Sequence, residues 1–181
     1  MLPLEIKLTP EEWDEQLEMF VAPKTQVLHL EHSLVSISKW ESKWHKSFIH
    51  TKDLTTEETL DYIKYMTLTK NVNPEVYDHL TDDDIKQIRD YIDNPMTATT
   101  FSEDKNSKGN REIVTAELIY YWMIALNIPF ECQKWHLNRL LTLIRVCNIK
   151  NQPPKKMNRR ETLNRNAQLN AARRAQMNTK G

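Results

Sequence analysis

Glycine is almost missing from this chain: there are two in 181 residues, beside eight prolines. So few glycines disfavour an all-β sandwich, whose tight hairpin turns draw on them for positive φ. They could hardly build a phosphate-cradling loop or a nucleophile elbow either, and no G-x-G-x-x-G, P-loop or G-x-S-x-G occurs. No enzyme and no cofactor is expected. Cysteine is equally scarce. Cys132 and Cys147 fall on one expected helix, about 22 Å apart along its axis, which is out of reach of a disulfide. No apolar run approaches the roughly 20 residues of a membrane span, and no leader segment is recognisable. No membrane contact is expected, and a reducing cytosolic compartment is the default.

Net charge is also absent, but only in sum. From Lys150 onward nine Lys/Arg stand against one acid, Glu161, an excess of about +8, and the residues before it carry about −8. An acidic body with a basic tail suits docking of tail on body between subunits, or an anionic partner. Arg159, Arg160, Arg165, Arg173 and Arg174 could meet phosphates. Aromatic residues stop at Trp135, however, so single-stranded bases would find nothing to stack on. The reading therefore disfavours nucleic acid. It takes Lys155, Lys156, Arg159, Arg160, Arg173 and Arg174 as partner-binding residues of a solvated tail.

What the chain has in quantity is helical patterning. The segment from Ile113 to Leu126 is apolar nearly all round, the mark of a helix buried on most sides. After Pro129, which suits a first helical turn, a second helix is expected from Phe130 to Asn148. Its polar stripe is Lys134, Asn138, Thr142 and Arg145. Residues 111–150 thus read as a helical hairpin at the centre of the fold, with Trp122 and Leu140 buried.

Earlier in the chain, Leu4, Ile6 and Leu8 alternate with Glu5 and Lys7, the pattern of a half-buried strand. Residues 26–30 are a second short strand that could pair with it. Thr9-Pro10-Glu11-Glu12 reads as a capping box opening a helix to about Phe20. From Glu31 to Ile49 the apolar period is helical, through Leu34, Ile37, Trp40, Trp44 and Phe48. Thr55-Thr56-Glu57-Glu58 and Thr81-Asp82-Asp83-Asp84 each open a further helix. Residues 97–101 are β-branched enough for a third strand, and 104–110 read as an exposed loop. The expected architecture is mainly α. A compact acidic helical domain over 1–151 is built on the C-terminal hairpin, with room for a small two- or three-stranded sheet. A basic tail follows over 152–181 behind the Pro153-Pro154 break, disordered or folding as a helix on a partner.

Few residues suggest chemistry. His29-Leu30-Glu31-His32 has neither zinc-protease spacing. Cys132 and His136 are four apart but lack a companion ligand pair, so a buried thiol and a surface imidazole are the better reading. Asp82-Asp83-Asp84 lacks the glycine of a calcium loop and sits where a helix N-terminus favours acids. On the 31–49 helix, Trp44 lines up with Ile37 and Phe48 and is assigned to the core. Trp40, rimmed by Lys39, Glu41 and Lys43, is assigned to partner contact, with Lys43 beside it.

Three blocks resemble small proteins of long-tailed bacteriophages. The first runs from Glu31-His32-Ser33-Leu34 through Trp40-Glu41-Ser42-Lys43-Trp44. The second is Tyr120-Tyr121-Trp122-Met123 through Ile128-Pro129-Phe130-Glu131-Cys132 to Trp135-His136-Leu137-Asn138-Arg139-Leu140-Leu141. The third is Pro153-Pro154-Lys155-Lys156-Met157 with the Arg/Ala-rich end closing in Thr179-Lys180-Gly181. Such proteins are similar to the tail assembly chaperones encoded beside the tape-measure protein. The resemblance implies a binder in the host cytoplasm that covers apolar helical segments of the tape-measure protein, or of other tail proteins, until the tail polymerises. Neighbouring genes of such phages encode virion parts of the tail or neck, and that is the first alternative; a nucleic-acid-binding accessory protein is the second. No catalytic, cofactor or metal residues carry over. Five tryptophans and seven methionines are adaptable material for a helix binder, although most such side chains fill a protein's own core.

Overall fold

Alternation along Leu2–Lys7 builds β1, with Leu4 and Ile6 buried and Glu5 and Lys7 in water. The structure, a computed structural model, describes residues 1–9, 12–14, 19–101, 112–152 and 159–178. Strands β2 (Glu12–Asp14), β3 (Met19–Val21) and β4 (Thr25–Leu30) follow β1. β1 pairs antiparallel with β4, placing Leu4 opposite Leu28. This is the expected pairing of the two alternating segments. The outer edge of β4 is covered: Leu68 N–H donates to the His29 carbonyl at 2.8 Å and Glu31 N–H to the Met66 carbonyl at 2.9 Å. An edge so paired is closed to further strands.

Between them the described part of the expected 9–20 helix is not helical, residues 10, 11 and 15–18 lying outside the described residues. β2 and β3 pair antiparallel, with Trp13 opposite Phe20. Chain closure explains it. Lys7 lies opposite Thr25, and Leu8 N–H donates to the Lys24 carbonyl at 2.7 Å, so the connecting segment must return to its starting point. A helix of about 11 residues would carry the chain roughly 16 Å away, whereas a hairpin comes straight back. Thr9, expected as a helix cap, instead accepts the Lys24 N–H on Oγ1 at 2.9 Å.

The rest of the first unit is helical. α1 (Leu34–Trp44) starts with a Ser33–Ser36 capping box and stops where His45 turns left-handed at φ 53°. α2 (Thr56–Met66) and α3 (Asp82–Asp93) start at the expected boxes, Thr55 with Glu58 and Thr81 with Asp84. A 3-10 turn, Pro74–His79, separates them. Residues 97–101 form no strand; the Arg145 guanidinium lies over the Phe101 ring at 4.1 Å. α4 (Ala116–Ala125) is followed by a 3-10 turn, Phe130–Lys134, and then by α5 (Leu137–Asn151). The second helix of the expected hairpin therefore begins seven residues late. The reason is the backbone at His136, which bridges to Ser33 while Leu137 N–H donates to the His32 carbonyl at 2.8 Å. A residue pairing sideways cannot also continue a helix.

Leu4, Leu28, Ile37, Trp40, Met123 and Leu140 are among the side chains that close the core. Among the described residues the fold is mostly helical with two small two-stranded antiparallel sheets. The chain divides into two units, Met1–Asn148 and Ile149–Gly181. In the second, α6 (Arg159–Met177) is a single helix with Leu163, Leu169 and Met177 exposed. Among the described residues no helix is long and apolar enough to cross a membrane.

Candidate functional site

α4 is short, apolar and held at both ends. At its start Thr115 makes no side-chain cap; the Glu41 carboxylate of α1 does so instead, accepting the Ala116 N–H at 2.7 Å. The Ser47 hydroxyl donates to the Val114 carbonyl at 2.6 Å just before it. At its end Asn127 takes the left-handed conformation, φ 52°. Asn127 N–H donates to the Ile124 carbonyl at 3.1 Å and Ile128 N–H to the Met123 carbonyl at 2.8 Å. That is a Schellman motif, with Ile128 and Met123 as its buried apolar pair.

Fixed in this way, α4 buries one face only. Ala116, Ile119 and Met123 go into the core, at the spacing of a single helical side. The opposite side carries Glu117, Tyr121 and Ile124, also at helical spacing and all exposed. Ile113 precedes them and Phe130 follows; these four apolar side chains are 64%, 62%, 60% and 53% exposed for Ile113, Tyr121, Ile124 and Phe130. Trp122, expected in the core, is half-buried at the flank. Phe130 is steadied by Tyr120, its ring 6.4 Å away, and the Tyr120 hydroxyl donates to Gln133 Oε1 at 2.9 Å. Exposed Glu117 and Glu131 border this face. Their charge is felt locally: burial and then Glu117 push the Tyr120 phenol up, and burial and then Glu131 push the Cys132 thiol up. This surface holds no activated nucleophile or poised acid–base pair. It can bury a partner's apolar side chains. The sequence reading missed it because the helix is apolar nearly all round; the signal was Glu117, whose charge marks the side that meets water, in line with Tyr121 and Ile124.

A second grouping is the buried pair His32 and His136, ring centroids 5.0 Å apart. His136 caps α5. Its Nδ1 accepts from Asn138 N–H at 3.3 Å, and its Nε2 faces the Tyr91 carbonyl at 3.0 Å. A carbonyl can only accept, so the imidazole is neutral with its proton on Nε2. His32 Nδ1 and the Tyr62 hydroxyl lie 2.5 Å apart. Burial pulls His32 down to about 3, helped by His136, and burial also lowers His136. Both rings are buried and hydrogen-bonded to neighbouring groups of the fold. Cys132 and His136 fall on different elements, so the four-residue spacing does not bring them together on one helix. Among the described residues no group of three or more His, Cys, Asp and Glu could hold a metal ion. Asp82, Asp83 and Asp84 fill the first turn of α3, with Asp84 closing its cap. A cleft of about 430 Å³ lies by α2 and α3, walled by Phe48, Leu54, Ile63 and Ile85 and lined also by exposed Lys52 and Arg89.

The expected partner residues scatter. Trp40, expected at a partner contact, is wholly buried, its Nε1 donating to the Glu58 carbonyl at 2.9 Å, and Trp44, expected in the core, is half-buried and packed against it. The supposed line through Ile37, Trp44 and Phe48 does not exist, because α1 ends at Trp44 and His45 turns the chain before Phe48. Lys43 is exposed, pairs with Asp61, and sits 5.2 Å from the Trp44 ring centroid. Arg159, Arg160, Arg173 and Arg174 are exposed on α6. Lys155 and Lys156, like the 104–110 loop and the Pro153-Pro154 break, lie outside the described residues. No family model, no curated protein and no solved structure matches this chain.

Proposed function

We propose that this protein is a non-enzymatic tail assembly chaperone of a long-tailed phage, acting in the host cytoplasm. It holds helical segments of the tape-measure protein until the tail polymerises. The observation that carries the reading is the outer face of α4, where Tyr121 and Ile124 stand in water on a helix fixed at both ends, with Ile113 before it and Phe130 after it also exposed. Large apolar side chains exposed along one element are candidate material for an interaction surface. The resemblance of the three sequence blocks names the partner. In this reading α4 and α5 form a helical hairpin that presents the face, and the basic tail adds charge contacts to neighbouring tail proteins.

A second reading, a structural part of the tail or neck, is favoured by the exposed arginines of α6, which suit the acidic surface of a neighbouring copy. Quantitative mass spectrometry of purified virions separates the two. A chaperone is absent from the particle, and a structural part is present in fixed copy number. Capture of tape-measure fragments by the full chain tests the chaperone role directly, and no capture of any fragment overturns it. A steep fall in DNA affinity with salt would instead mark the tail as a phosphate binder.

A further inference from the structure

We infer that the α4 face receives an amphipathic helix of a partner chain whose apolar stripe is flanked by lysine or arginine. The inference rests on the chaperone reading for its biological setting, and on geometry and charge for its content. A helix is the fitting occupant because α4 offers side chains alone. Its backbone groups are used within the helix or in the motifs at its ends, so an extended peptide would gain no main-chain ladder there. Tyr121 and Ile124, with Glu117 one turn earlier, form a ridge at helical spacing, and such ridges pack into the grooves between side-chain rows of a second helix. The ten residues of α4 span about 15 Å, room for roughly three turns of a partner.

Charge selects the flanks. Glu117 interrupts the ridge and Glu131 stands beside Phe130, both exposed. Among the described residues, Arg139 lies over the Trp135 ring at 4.3 Å, and Lys134 closes the 3-10 turn that Phe130 opens. A partner bringing carboxylates would meet like charge, and one bringing ammonium or guanidinium groups would find counter-charges at Glu117 in the ridge and at Glu131 beside Phe130. Because the platform is already pinned by Glu41 and the Schellman motif, ordering it costs little on binding.

The test uses the full chain and a fluorescein-labelled peptide of about 18 residues, roughly five turns, with leucines at helical spacing and lysines along their flanks. A matched peptide carries glutamates in place of the lysines. Anisotropy titration is expected to favour the lysine peptide by at least about tenfold, and Ile124→Ser or Tyr121→Ser to weaken it by a similar factor. Glu117→Lys with Glu131→Lys is expected to reverse the preference. Circular dichroism of each variant confirms that the helices persist. Equal affinity for the two peptides overturns the inference, as does binding indifferent to both serine variants. A chain that sediments as a dimer and becomes monomeric on Ile124→Ser also overturns it, because a second copy is then the occupant. Tape-measure fragments captured equally by wild type and Ile124→Ser would sink the α4 assignment and leave the chaperone reading standing. Peptide binding at α4 without capture of any fragment would do the reverse.

Discussion

The Glu41 carboxylate of α1 accepts the backbone N–H of Ala116, the first residue of α4, at 2.7 Å across 75 positions of sequence. Its other oxygen accepts the Phe48 N–H at 2.8 Å. One buried side chain thus holds the entry of α4 and the turn after α1 together, and a carboxylate there also meets the positive end of the α4 dipole. Its burial pushes the carboxyl pKa up, against the pull of the two N–H donors. Glu41→Ala is expected to lower unfolding free energy by about 2–4 kcal/mol, since two N–H groups lose their acceptor. Glu41→Gln, which can serve only one of them with an oxygen, should fall between. Urea titrations of both variants check the order.

The tryptophans give a second expectation. Trp40 is wholly buried, hydrogen-bonded, and edge-on to Phe48 at 5.2 Å, so Trp40→Ala should cost about 3–5 kcal/mol. Trp44 Nε1 is buried without a partner. Trp44→Phe removes that orphaned N–H and should be neutral or stabilising by up to about 1 kcal/mol. A comparable loss at both positions would contradict the placement of the two rings.

Stability should fall on acidification. His32 is held neutral down to about pH 3 in the fold, whereas in the unfolded chain it protonates below about 6.5. The unfolded state therefore binds more protons between those values, and folding weakens as pH drops through them. From His32 alone the loss between pH 7 and pH 5 is about 2 kcal/mol, and the lowered pKa of His136 acts in the same direction. Thermal midpoints across that range should decline, and His32→Gln should flatten the decline.

The outer face of α4 should be silent in stability. Tyr121 and Ile124 are mostly in water, so Tyr121→Ser and Ile124→Ser are expected within about 0.5–1 kcal/mol of wild type. Denaturant midpoints much below wild type would mean that these side chains support the fold and are not held out for a partner.

Much of this architecture could be read from residues alone, where the cause is local. Alternation at Leu4, Ile6 and Leu28 carries its own face assignment, and Thr55 with Glu58 or Thr81 with Asp84 form their boxes within four residues. What escaped depends on distant partners. The segment after Thr9 has the letters of a helix, but the Lys7–Thr25 pairing forces it to turn back. Trp40 and Trp44 differ in role because His45 ends α1, a backbone event that side-chain periodicity does not announce. For α4, an all-apolar composition cannot say which side the core takes; that is decided by Glu41 and by where Ile128 buries. The exposed face of α4 had only Glu117 to mark it.

The Ser33–His136 bridge also sets a clock. The start of α1 is joined to the start of α5, and the Leu137 N–H is donated to His32, so the N-terminal half lacks its closing contacts until about a hundred further residues have been synthesised, some 5–20 s at ordinary elongation rates. During that interval Trp40 and Leu34 have no finished core to enter. Native closure of the first unit therefore requires the segment carrying His136 to have emerged from the ribosome.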